Sequence, residues 1–175
     1  ALNLARKFKI KYYAISFVNS HKDLEEVKKI TGSSSFIISK IETKNAIINL
    51  DKITKNSNAL LIDRGDLSRY VQIEKIPMAQ ENIIKKSKKL NTPTYVATNL
   101  LENMIKETQP TRAESHDIYS TLKEGAKGLV LAAETAIGTN PVECVRFLKR
   151  CMKVFEKNKK KKIRNAKDYK DYLFQ

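Results

Sequence analysis

Five short apolar runs alternate along this chain with stretches whose apolar residues recur every three or four positions. The runs are rich in β-branched and aromatic residues, so they read as strands at Lys11 to Val18, Phe36 to Glu42, Ala59 to Arg64, Thr94 to Thr98 and Gly128 to Ala133. The stretches between them read as helices. Ala1 to Phe8 is the end of one, and DLEEVKKI follows Ser20 as N-cap with Asp23 three residues on. KNAIINLDKI reads as one helix capped by Thr43, and Ile73 to Leu90 as a long one with Pro77 in its first turn. LLENMIK makes a short helix, Ala113 to Glu124 runs to a stop at Gly125, and Pro141 opens PVECVRFLKRCMKVFEK at the position where proline suits a helix start.

Strand and helix in strict alternation, with short connections, imply parallel strands joined by right-handed crossovers. The period of the pattern leaves two α/β architectures open, a doubly wound sheet or part of a (β/α) barrel. Neither G-x-x-x-x-G-K nor G-x-G-x-x-G occurs, which lowers a nucleotide-binding fold of those kinds.

A length of 175 residues with 41% hydrophobic content suits one buried core. Residues 1–157 are expected to form that domain, and the lysine-rich residues 158–175 a tail outside it. The net charge of +15 is mostly lysine, a point charge that attracts polyanions without reading bases. Membrane spans are not expected, because no apolar run approaches about 18 residues. Cys144 and Cys151 lie about two helical turns apart, roughly 10 Å, beyond disulfide reach, and suit core packing in a reducing compartment. Beginning on Ala1, the chain reads as a processed form or a piece of a longer protein.

Polar residues enter two of the strands only at their ends. Lys40 and Glu42, two apart, share a face at the end of the second strand, and Arg64, Gly65 and Asp66 follow the third. Carboxylates, a lysine and a glycine that admits a ligand to the backbone form a set suited to Mg²⁺ or Mn²⁺ held against phosphate and carboxylate oxygens. The plainer alternative is a solvated Lys40–Glu42 pair beside an Arg-Gly-Asp turn. His21 and His116 read as solvent-facing residues near helix starts, and Glu134 and Thr135 as the end of the fifth strand.

FIISKIET, LLIDRGDLS, the long stretch from IPMAQENII through ATNLLENMIK to PTRAESHDI, and GLVLAAETAIGTNPVECV together resemble the pyruvate kinase family, in order and spacing. The resemblance covers roughly residues 12–155 and implies a partial (β/α)8 TIM barrel, strands four to eight, each followed by a helix. It implies phosphoryl transfer from phosphoenolpyruvate to ADP, giving pyruvate and ATP in glycolysis. It assigns Glu42 and Asp66 to Mg²⁺ or Mn²⁺ and Lys40 to the transferring phosphoryl group. The Gly65 and Asp66 amides would bind the substrate carboxylate, and Thr98 would lie near the carbon that is protonated. K⁺, a homo-oligomer (a tetramer in the family) and a cytoplasmic or plastid location are implied for a full-length enzyme. Contact with a membrane or with specific nucleic acid is not.

Several positions depart from the family pattern. Asp63 stands where a small apolar residue is expected, Ser68 where Gly is, Asn99 and Leu100 where Gln and Met are, Ala132 and Ala133 where Ser and Gly are, and Asn19 where Arg usually is. The early strands that carry the family's phosphate, nucleotide and potassium contacts have no counterpart, nor do its lid and regulatory domains. Five strands of an eight-stranded cylinder leave two edges, so the chain is expected to be an inactive part of an enzyme on its own. The alternative is a catalytically silent relative acting as a scaffold or polyanion-binding subunit.

Overall fold

The computed structural model describes residues 1–160. Each strand forms where the apolar runs end against a turn: β1 Tyr12–Ile15, β2 Phe36–Ile41, β3 Ala59–Asp63, β4 Thr94–Ala97 and β5 Gly128–Val130. All pair in parallel in the order β1-β2-β3-β4-β5. Sequential neighbours throughout are what a (β/α) barrel segment requires, whereas a doubly wound sheet reverses its order at a switch point. Among the described residues β1 and β5 are each paired on one side only.

The helices are α1 Leu2–Lys7, α2 His21–Thr31, α3 Lys44–Ile48, α4 Leu50–Asn56, α5 Arg64–Leu67, α6 Ile76–Lys89, α7 Arg112–Glu124, α8 Ala133–Ala136 and α9 Pro141–Lys160. Ser20 is the N-cap of α2, and the Asp23 carboxylate accepts the Ser20 amide at 2.8 Å. Gly125 ends α7 at φ 117°, a left-handed value that suits glycine. The helix expected over KNAIINLDKI is two helices. Asn49 breaks it and donates its side-chain amide to the Asn19 carbonyl at 2.9 Å, which a continuous helix turned elsewhere would forfeit.

Strand ends are shorter than expected for a common reason. Arg64 begins α5, Thr98 leaves β4 at φ 69°, and the fifth strand closes at Val130, so Glu134 and Thr135 belong to α8 instead. The α9 helix runs past the expected boundary at 157, and Asn158 donates to the Tyr119 hydroxyl at 2.5 Å. The remainder of the expected tail, residues 161–175, lies outside the described residues.

Two apolar clusters hold the sheet. In the larger, Ile37, Ile41, Leu60, Ile62 and Val96 meet Leu24, Ile53, Ile83 and Ile84 from the covering helices. A side chain of this size contributes roughly 1.5–3 kcal/mol when fully buried, so these positions fix the register. The smaller joins Leu101, Met104, Ile118, Leu122, Cys144 and Leu148. Cys144 is buried there and Cys151 packs at its margin, both as free thiols, as their spacing suggests.

Candidate functional site

Apolar alternation leaves the sheet at the carboxyl edge, where β2, β3 and β4 each deliver charged or polar side chains to one place. Lys40 and Glu42 come from the end of β2. Their side chains meet, Lys40 Nζ lying 2.5 Å from Glu42 Oε1. Asp63, the last residue of β3, sends Oδ2 to within 3.1 Å of the same ammonium. Burial acts to release the Lys40 proton, and the hydrogen bonds and charges of Glu42 and Asp63 more than offset it, holding the pKa above the usual lysine value.

Glu42 is fully buried. Its Oε2 accepts the Phe17 amide at 2.6 Å, an N–H aimed inward by the left-handed turn at Phe17, φ 55°. Its Oε1 has no hydrogen-bond partner of good geometry, and the Lys40 ammonium is its ionic neighbour. A buried carboxylate needs positive charge beside it, and here the Lys40 ammonium supplies it. Glu42, Asp63 and Asp66 each present an oxygen, and these lie within 4.8 Å of one another. Bonds of about 2.1 Å around Mg²⁺ place its ligand oxygens roughly 3 to 4 Å apart, so modest side-chain movement would close this set on the ion. The donors are all hard oxygens, which fits Mg²⁺ or Mn²⁺.

Thr98 completes the group from β4. A β-branched residue at φ 69° is strained, and Arg64 holds it there. The Arg64 guanidinium donates to the Thr98 carbonyl from Nε at 3.1 Å and Nη2 at 2.7 Å, and to the Asn99 carbonyl at 3.0 Å. Its Nη1 makes a bidentate pair with Asp117 of α7, at 2.9 and 2.8 Å. Turned this way, the Thr98 hydroxyl accepts the Gly65 amide at 2.9 Å and lies 3.3 Å from Asp63 Oδ1. The Asp66 amide points at that oxygen from 3.5 Å.

Lys40, Glu42, Gly65, Asp66 and Thr98 thus lie together at one edge of the sheet. Beside Gly65 and Thr98 a cleft opens, bounded also by Asn99, Glu102, Ala132 and Glu134. Glu134 faces this region as a buried brace: its carboxylate accepts the Leu101 amide at 3.3 Å and the Ala132 amide at 2.9 Å. Two contributors escaped the sequence reading, Asp117, which sits on a helix with no local signal, and the Phe17 amide. His21 and His116 lie on α2 and α7.

A family model for the barrel domain of pyruvate kinase matches residues 1–145. The chain belongs to the pyruvate kinase family. It is 42% identical over 152 residues to a pyruvate kinase of Thermotoga maritima, across 85% of this chain and 32% of that protein. It is 36% identical to a pyruvate kinase of Borreliella burgdorferi, across 99% of this chain and 36% of that protein. Pyruvate kinase isozyme G, chloroplastic, of Ricinus communis is 39% identical across 79% of this chain and 34% of that protein. The chain therefore spans about a third of the length of the curated relatives it matches. The five parallel strands with their helices are those of a pyruvate kinase barrel domain in part, and a closed barrel is not seen among the described residues. No helix among them is long and apolar enough to cross a membrane.

Proposed function

We propose that this chain carries the divalent-metal and phosphoryl-binding part of a pyruvate kinase active site, which transfers a phosphoryl group from phosphoenolpyruvate to ADP in a longer enzyme. The reading rests on one observation: the Glu42 and Asp66 carboxylates converge with the Lys40 ammonium at the carboxyl edge of a parallel sheet. Glu42 and Asp66 would hold Mg²⁺ or Mn²⁺, which when bound would draw charge from phosphoryl and carboxylate oxygens. Lys40, kept protonated by its carboxylate neighbours, sits where a fixed positive charge can stabilise a transferring phosphoryl group.

The substrate carboxylate would take the Gly65 and Asp66 amides from their present acceptors, Thr98 Oγ1 and Asp63 Oδ1. Thr98, held by Arg64, would present its hydroxyl next to the carbon that receives a proton. Positioning and charge neutralisation carry most of such a reaction, because little covalent work falls to the protein. K⁺, the nucleotide site and a homo-oligomer belong to this reading through the longer enzyme, as does action in glycolysis in the cytoplasm or a plastid.

The test is Mn²⁺ binding to the full chain, followed by the loss of the free-ion electron paramagnetic resonance signal. Substituting Glu42→Gln with Asp66→Asn should abolish binding while the far-ultraviolet circular dichroism is kept. Unchanged Mn²⁺ affinity in that double variant would refute the site.

A further inference from the structure

Asp63 touches Lys40, Thr98 and the start of α5 at once. It is nearly buried, and its two oxygens face the Lys40 ammonium at 3.1 Å on one side and the Thr98 hydroxyl and Asp66 amide at 3.3 and 3.5 Å on the other. Those are the groups that, on the proposed function, would meet the anionic substrate. The chain's own carboxylate thus takes the place of part of an external anion.

The charge balance of the site turns on this one residue. One ammonium and a divalent ion against the two carboxylates Glu42 and Asp66 leave one positive charge, and a site of that sum gains from binding an anion. With Asp63 the sum is zero. The guanidinium at the start of α5 does not restore the balance, since Arg64 is committed to Asp117. Arg69, paired with Asp66 at 3.4 Å, is mostly exposed and screened. A second observation bears on the same cation: Glu42 is fully buried, its Oε1 is served by the Lys40 ammonium alone, and its carboxylate shares a cluster within 4.8 Å with Asp63 and Asp66.

We propose that Asp63 is a third carboxylate of the divalent-metal site and determines its ligand preference, so that Mg²⁺ or Mn²⁺ binds without a companion anion and phosphoenolpyruvate adds little to its affinity. This rests on the metal reading of Glu42 and Asp66. Two-carboxylate metal sites rely on substrate oxygens to fill the coordination shell; a third carboxylate supplies one from the protein and repels the incoming anion.

Mn²⁺ titration of the full chain, with and without saturating phosphoenolpyruvate, tests this in the parent, Asp63→Asn and Asp63→Ala. Asparagine keeps the acceptor for Thr98 and for the start of α5 while removing the charge. In the parent, phosphoenolpyruvate should change the Mn²⁺ dissociation constant by less than about threefold. In Asp63→Asn, Mn²⁺ alone should bind about tenfold more weakly and phosphoenolpyruvate should restore that loss, as expected when affinity follows ligand charge count. Equal Mn²⁺ affinity in parent and Asp63→Asn would make Asp63 a counter-ion of Lys40 only and overturn the proposal, as would strong tightening by phosphoenolpyruvate in the parent, a measurement that needs no variant to fold. Should Asp63→Asn lose the ion while Glu42→Gln with Asp66→Asn keeps it, the proposed function fails instead. Asp63→Ala should match Asp63→Asn in Mn²⁺ affinity, and a weaker loss in it overturns the role of charge.

Discussion

The two ends of this one sheet bury polar groups in opposite ways. At the amino edge the polar groups are neutral and serve each other, some buried and one, Asn58, exposed at the surface. The Asn58 side chain accepts the Ile37 amide at 2.8 Å, Thr94 and Ser87 share a hydrogen bond of 2.5 Å, and Thr92 reaches the Thr54 carbonyl. At the carboxyl edge the groups are charged, carboxylates outnumber the lysine among them, and one oxygen of Glu42 has the Lys40 ammonium as its ionic neighbour and no other partner. Satisfied neutral pairs close a structure, whereas converging carboxylates hold free energy in reserve for a ligand. The contrast implies that damage at the amino edge should appear as lost stability and damage at the carboxyl edge as lost binding or rate.

Lys40 gives the largest expected departure. In a full-length enzyme carrying this chain, Lys40→Met should lower kcat by roughly 10²–10³, the usual loss when one preorganised charge-stabilising group is removed. Lys40→Arg should rescue little, since the planar guanidinium cannot sit between Glu42 and Asp63 as the compact ammonium does. Steady-state kinetics with Mg²⁺ saturating would check both, and a kcat within threefold of the parent in Lys40→Met would break the assignment of roles to this edge.

Glu42→Gln should come next, with Mn²⁺ affinity down by at least about 100-fold, the upper end of what losing a supporting group around a metal costs. Its melting temperature should hold, because glutamine still accepts the Phe17 amide and Lys40 keeps Asp63 as its counter-ion. Loss of folding together with loss of metal would mean that the carboxyl edge is as structural as the other.

Much of this was legible in the letters, for reasons that vary with position. Apolar runs and caps are local, so the five strands, the Ser20 cap and the Gly125 stop were found where they stand. Lys40 and Glu42 were legible as a pair because strand geometry alone puts alternate residues on one face. What failed was long-range. Asn49 breaks a helix for the sake of Asn19, thirty positions away in sequence, and Thr98 leaves its strand because Arg64 holds its carbonyl. Glu134, expected at a strand end, is a brace between the loops after β4 and β5. Asp63 stood out as a departure from the family, yet its bridge from Lys40 to Thr98 depends on three strands meeting.

Asn58→Ala sharpens the comparison from the other end. It removes the acceptor of the Ile37 amide, and because Asn58 is exposed water can take its place, so the loss is that of one ordinary hydrogen bond, about 0.5–1.5 kcal/mol. Urea denaturation should report that loss at unchanged m-value, while Mn²⁺ affinity stays within twofold of the parent. A large fall in Mn²⁺ affinity would show that the two edges are coupled through β2.

The smallest effect concerns Asp23, which lies near the carboxyl edge but belongs in kind with the satisfied groups. Slight burial pushes its carboxyl pKa up, and the Asn19 and Ser20 amides, donating at 2.7 and 2.8 Å, more than offset this and bring it below the usual carboxylate value. A carboxylate whose pKa is lowered by folding stabilises the fold above its unfolded pKa of about 3.9, and that contribution fades as pH falls through the folded value. Asp23→Asn should therefore lower the melting temperature at pH 7, and the gap from the parent should shrink steadily as the pH is taken below about 4. Because the group is only partly buried, salt should narrow the gap too. A gap that is constant with pH would mean that asparagine fails by shape and that charge at this cap is immaterial.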